Sequence, residues 1–469
     1  MGILDVRAQP PSQEVTGGTA WRGARDGLNA DDTSLLEVLP LAMLLTEAMA
    51  ADDLAGRATG RRRSQLRLDA AILWREVTRR SGEVRALSRA ALAAEKALEA
   101  YGPRSAGWAR ARCEQGYSAM LGAEYFNDPG LLDAAERAFE DSLSGAARGL
   151  AAPYAEIGLL TIKGRRSIPT GDAQSARVAA ARFTQPIANL KAMSGRIRVA
   201  RMHSVEGYIL RSELLCAWGA RLNDAPLLRA AVRDTITAAS GLTPDFEPLT
   251  IARIEFARAA AQIAIGEVEE DAEICLAGVN LLNGVLDEIT LGQSPLDRAR
   301  GEFLLARGRQ VLGDLSGDSL SYERALSGFD RVLKITGNRE GLVLNCQAET
   351  QRALCLARSA EISRDVAVLN SAEKALRSTL AKASVVRDPE SWSLLQLNLA
   401  RLLLARLDIT RQDRGERTGA RAALTSALDV LPEQSLRALG RPAAWTLDLV
   451  DAAIRDPKRP DSDDSEIRL

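Results

Sequence analysis

Histidine is almost missing from this 469-residue chain, with His203 the only one. A histidine-rich metal site is therefore excluded, and a serine–histidine–acid or cysteine–histidine device could use that residue alone. Aromatic residues make up only 4 %, and no segment alternates apolar with polar residues as a half-buried strand does. Without strands there is no strand–loop–helix phosphate cradle, and GDAQSARV and LSGDSLSY read as turn chemistry. The five cysteines (Cys113, Cys216, Cys275, Cys346, Cys355) form no C-x-x-C pair and sit inside apolar helical patterns, which points to buried free thiols in a reducing compartment. A net charge of -1 gives no global attraction to a polyanion or a membrane surface. Long hydrophobic runs are also scarce. The most apolar one, Leu35 to Ala50, is interrupted by Glu37, Pro40 and Glu47 and is too short to cross a bilayer of about 30 Å. The opening MGILDVRAQPP lacks the layout of a secretion signal, and Val6 stands where a myristoylation motif wants Ser or Thr, so a cytoplasmic location is expected.

What is present favours helix. Hydrophobic residues reach 46 %, largely Ala, Leu and Val, and long stretches avoid proline and β-branched clusters. The fold class expected is all-α. Arginine outnumbers lysine 54 to 7, a composition suggestive of a GC-rich bacterial genome. Charge is unevenly spread: Arg57 to Arg112 holds 14 basic residues against 5 acidic ones.

The segments ALSRAALAAEKALEA, LLDAAERAFEDSL, LSYERALSGFDRVL, LNSAEKALRSTL and ERTGARAALTSALDVL are amphipathic helices that align on one small residue. The aligned positions are Ala90, Ala135, Ala180, Ala231, Gly278, Ala325, Ala372 and Ala420, at intervals of 45, 45, 51, 47, 47, 47 and 48. A larger residue follows four positions on in several copies (Phe139, Leu282, Phe329, Leu376, Leu424), and a small one three further (Ala97, Ser142, Ala238, Ala427). These positions share one helical face, so they make a packing stripe with a notch and a knob. A second helix precedes each stripe and carries a column of Glu114, Glu156, Glu206, Glu255, Glu302, Glu349 and Gln396. In that register the two R-A-R-x-E runs, ending at Glu114 and Glu302, mark one place in repeats four units apart.

The small-x3-large-x2-small signature, with Q-x-N-L-A at Gln396 to Ala400 and Trp392 just upstream, resembles the tetratricopeptide repeat, most closely its long-period bacterial versions. The likeness covers about Leu66 to Leu431, and the unit is longer than the ordinary 34 residues. The resemblance implies a right-handed α-solenoid of about eight antiparallel helix pairs, whose concave inner surface binds a protein or peptide segment. Residues 1–34 and 457–469 read as mobile tails, 35–65 as a capping helix with a basic linker, 66–431 as the repeats and 432–456 as a C-terminal cap.

Candidate partner-binding residues are those of the first helices. The carboxylates Glu114, Glu206, Glu255, Glu302 and Glu349 could grip basic or amide-rich segments, while Arg110, Arg112, Arg253, Arg298, Arg300 and Arg352 present forks suited to carboxylate. The competing reading is intrahelical pairing, as in Arg110 with Glu114 and Arg298 with Glu302, worth a few tenths of a kcal/mol. No catalytic, cofactor or metal residues are indicated. The expected function is a non-catalytic adaptor or scaffold. The alternatives are a structural subunit that self-associates and, less favoured, a nucleic-acid scaffold using residues 57–112, where only Trp74, Tyr101 and Trp108 could stack.

Overall fold

The computed structural model describes residues 36–145, 149–195, 197–337, 342–386, 388–430 and 440–455. The expected tails at 1–34 and 457–469 fall outside these residues. Among the described residues every regular element is a helix, numbered here in chain order. First helices of successive units are α2 (Gly60–Ser81), α4 (Ala106–Phe126), α6 (Ala151–Ser167), α9 (Arg198–Leu222), α11 (Pro248–Glu269), α13 (Pro295–Ser316), α15 (Val343–Ser363) and α17 (Pro389–Thr410). Second helices are α3 (Val84–Ala100), α5 (Pro129–Gly145), the pair α7 (Ala173–Arg182) and α8 (Thr184–Met193), α10 (Ala225–Ala239), α12 (Ala272–Glu288), α14 (Ser319–Thr336), α16 (Val366–Lys382) and α18 (Glu416–Val430). The helices α1 (Leu41–Arg57) and α19 (Gly440–Arg455) flank the array. Each helix packs mainly on its neighbours in sequence, so the chain is an all-α solenoid.

Seven of the eight units reverse the chain in one way, while α6 leaves through Ile168 in the right-handed helical region. The first helix ends on a left-handed residue at Gly82, Asn127, Asn223, Glu270, Gly317, Arg364 and Arg411. An aspartate then caps the second helix: Asp224, Asp271, Asp318 and Asp365, spaced 47 apart, each accept backbone N–H bonds from its first turn. The left-handed residue reverses the chain, and the cap satisfies donors that the new helix leaves open.

The notch-and-knob stripe forms the contact between the helices of a unit and those beside it. Ala90, Ala135, Ala231, Ala325, Ala372 and Ala420 are fully buried, as are Phe139, Leu282, Phe329, Leu376 and Leu424. Phe139 lies in a slot between Gly116 of α4 and Gly158 of α6, where any added Cβ would overlap its ring. Ala180 departs from the expected register and is only half-buried. There the second helix breaks into α7 and α8, because Pro186 lacks an N–H and its ring conflicts with the carbonyl four residues back. Ala176, Phe183, Ile187 and Leu190 are buried instead. The expected basic linker is also corrected: Gly60 to Arg67 forms the first turns of α2, in keeping with the helix propensity of its Arg, Gln and Leu.

The solenoid curls until units four to five apart meet. Arg79 near the end of α2 is paired with Asp297 at the start of α13 at 2.6 Å. The Leu41 N–H donates to Gly292 O at 2.9 Å, and the Thr250 N–H donates to Glu37 Oε2 at 2.7 Å. The buried Arg80 guanidinium donates to the carbonyls of Leu36 and Leu39, fixing the segment ahead of α1. One turn later, Tyr125 of α4 shares an apolar cluster with Leu296, Ala299, Leu344 and Ala348. A curved array closed in this way turns much of its concave wall into the lining of an internal space.

Candidate functional site

That space is a cavity of about 480 Å³ lined by α2, α4, α6, α9, α11, α13 and α15. Its size lies in the range of ligand pockets, roughly 300–1,000 Å³. Its wall mixes aromatic with charged side chains: Tyr117, Tyr125, Tyr154, Phe256 and Phe303 beside Arg75, Arg79, Arg253, Arg300 and six carboxyl groups.

Ring stacking organises one side. Tyr154 lies flat against Tyr117 with centroids 4.0 Å apart and against His203 at 3.5 Å, so three successive first helices contribute one continuous stack. The Tyr117 hydroxyl donates to the Tyr154 carbonyl at 2.9 Å, and the Arg75 guanidinium stands 5.8 Å from the Tyr117 centroid. Burial, with Arg110 and Arg75 nearby, holds His203 neutral far below its usual pKa. The only histidine is thus a packing element of the wall.

Ion pairs cross between helices on the other side. Glu206 of α9 accepts both forks of Arg253 on α11 at 2.8 Å, and Glu124 is paired with Arg300 and Arg165. Glu76 takes Arg79 and Arg80, while Arg75 reaches Glu114 at 2.9 Å. Burial alone would raise the carboxyl pKa values, yet the arginines overturn it for Glu76, Glu124, Glu206 and Asp297, all held below the usual range. Two carboxyls go the other way. Burial pushes Glu37 up to about 7 despite its bonds from Thr250. Glu213, exposed to the solvent of the cavity, is raised by partial desolvation there and by Glu124, against Arg165 and Arg253.

The expected site residues do not share one face. Glu206, Arg253 and Arg300 line the cavity. Glu114 is buried against α2, and Glu302 is held by Arg298 and by Arg331 of α14. Glu255 pairs with Arg258, Glu349 with Lys382, Arg352 with Asp330 and Arg112 with Asp141. Arg298 also donates to the carbonyls of Leu286 and Ile289, capping α12, and Arg110 is half-buried on α4. The glutamate column mixes registers. Counted from the left-handed residue closing each first helix, Glu255, Glu302 and Glu349 are 15 residues back, Glu206 is 17 back and Glu114 is 13 back. A two-residue slip rotates a side chain by about 200°, which is why Glu114 faces the preceding first helix while Glu302 faces its own second helix. The two R-A-R-x-E runs therefore do not occupy equivalent places.

The cavity column is Glu206, Arg253, Arg300 and Gln347, each 47 residues from the last. Sequence reasoning passed over Glu76, Glu124, Glu213 and Asp297, and weighed Arg75 and Arg79 only within the basic block at 57–112. The 47-residue run of capping aspartates would have set the register; nothing local marks the residues that meet across the turn. No protein-family model matches this chain, and comparison with the curated proteins gives no match.

Proposed function

We propose that this protein is a non-catalytic adaptor that holds a segment of a partner protein against the inner wall of a tetratricopeptide-like array. One observation carries the reading: the inner faces of seven first helices converge on a single cavity of charged and aromatic side chains. Prearranged groups of this kind order a bound segment at low reorganisation cost. The charge balance and the resemblance to long-period bacterial repeats accord with a cytoplasmic bacterial protein.

The basic block counts against nucleic acid as the partner. Its Arg67, Arg75, Arg79, Arg80, Arg89 and Arg112 are each paired with carboxylates of the same chain. A photo-crosslinking residue placed at Phe256 or Phe303 on the inner wall, compared with Leu92 or Leu276 exposed on second helices, tests the adaptor reading in native lysate. Partner adducts are expected from the inner positions. Adducts only from the outer positions, or only between copies of this chain, would favour the self-associating structural subunit.

A further inference from the structure

Among the carboxyl groups lining the cavity, Glu213 is the one left over. Glu76, Glu124, Glu206 and Asp297 each hold at least one arginine, and Glu37 accepts from Thr250. Glu213 has no ion pair or hydrogen bond among the described residues, although solvent reaches it. It lies on α9 one turn beyond Leu210 and two beyond Glu206, facing the same space as Phe256, Phe303 and Arg300. We infer that this part of the cavity receives the cationic side chain, lysine or arginine, of the partner segment, with Glu213 as its counter-ion.

The inference rests on the adaptor reading and adds the chemistry of what is held. Three kinds of occupant can be compared. An anion would have to compete for arginines already engaged: Arg75 with Glu114, Arg79 with Glu76 and Asp297, Arg253 with Glu206, and Arg300 with Glu124. An apolar group would strip water from Glu213 and return no hydrogen bond, a net cost for any carboxyl. A cation supplies the missing partner, and the aromatic side chains of the lining, Phe256 and Phe303, pack on its aliphatic stem. The Glu213 side chain is exposed to the solvent of the cavity; the neighbouring Glu124 disfavours its charge against the pull of Arg165 and Arg253, and an ammonium or guanidinium placed between the two carboxyls opposes that repulsion. About 480 Å³ is room for one such side chain with its flanking backbone.

The test uses the full-length chain and acetylated, amidated Gly-X-Gly tripeptides in which X is lysine, arginine, norleucine or glutamate, titrated by calorimetry. The lysine or arginine peptide is expected to bind at least about tenfold more tightly than the others, and Glu213→Gln to abolish that preference. Because Glu213 makes no contact that holds the fold, the variant should keep the helicity and melting temperature of the parent. Glu213→Lys, which places its own ammonium in the cavity, should block the peptides as well. Equal binding of norleucine, an unchanged preference in Glu213→Gln, or no binding of either basic peptide below about 10 mM overturns the inference. So does binding of free n-butylamine with exclusion of the peptides, which would mark a small-amine site. None of these results touches the photo-crosslinking outcome, which requires no charge on the partner; the adaptor reading falls only if the inner-wall adducts fail.

Discussion

Removing the ion pair between Arg79 and Asp297 should open the solenoid before it unfolds it. Arg79 is 11 % exposed and Asp297 1 %, so the pair is shielded from bulk solvent, and it joins helices 218 residues apart in sequence. Taking one partner from a buried pair costs about 3–5 kcal/mol when the other is stranded. Neither is wholly stranded here: Arg79 keeps Glu76, and Asp297 keeps a hydrogen bond from Ser294 at 2.6 Å. We therefore expect about 2–3 kcal/mol for Asp297→Ala, and a coupling energy of about 1–2 kcal/mol in a double-mutant cycle with Arg79→Met. Repeat arrays do not unfold in one step, so a single melting free energy would dilute the effect. Native-state hydrogen exchange resolves it. A loss of 2 kcal/mol is about a 30-fold rise in the exchange of amides that open with the closure, concentrated at Leu41, Thr250 and the first turns of α13. Small-angle scattering should report an increased radius of gyration for the same variant. If the two substitutions add without coupling, or protection falls evenly over all repeats, the closure is not held by this pair.

Glu37 predicts a pH dependence. Burial lifts its folded pKa to about 7, above the ordinary carboxyl value of 4.5, so the native state holds the extra proton between those values. Its contribution is complete below about 4.5 and is lost as pH rises to about 7, amounting to about 3 kcal/mol at most. Hydrogen exchange at Thr250 from pH 5 to pH 8 should follow that slope, and Glu37→Gln should flatten it and protect better at pH 8; an unchanged slope would assign the titration elsewhere. At the Phe139 slot, Gly158→Ala should destabilise by about 1–3 kcal/mol through overpacking, and Phe139→Leu should partly rescue it in thermal melts, a rescue that a purely backbone effect would not show.

Much of the local architecture was readable from residue order. The small residues at Ala135, Ala325 and Ala372 and the large ones at Phe139, Phe329 and Leu376 recur with helical spacing, and all six are fully buried. The register failed where the spacing departs from the 47-residue period, at Ala180 beside Pro186 and at Glu114 and Glu206, because a shift of one or two residues rotates a helix face without altering its composition. The candidate site was legible in part. Glu206, Arg253 and Arg300 were named, but grouped with Glu114 and Glu302, which serve contacts between helices, and with Glu255, which pairs within its own helix.

Residue order alone determined the unit: two amphipathic helices, a notch and a knob, a reversing turn with an aspartate cap, copied along most of the chain. It could do so because each of those features is set by neighbours within a few turns. Only the tertiary structure decided that the array curls far enough for Arg79 to find Asp297 and for Glu124 to find Arg300. Curvature is a small rotation per repeat summed over four or five of them, and no single repeat carries enough of it to be read.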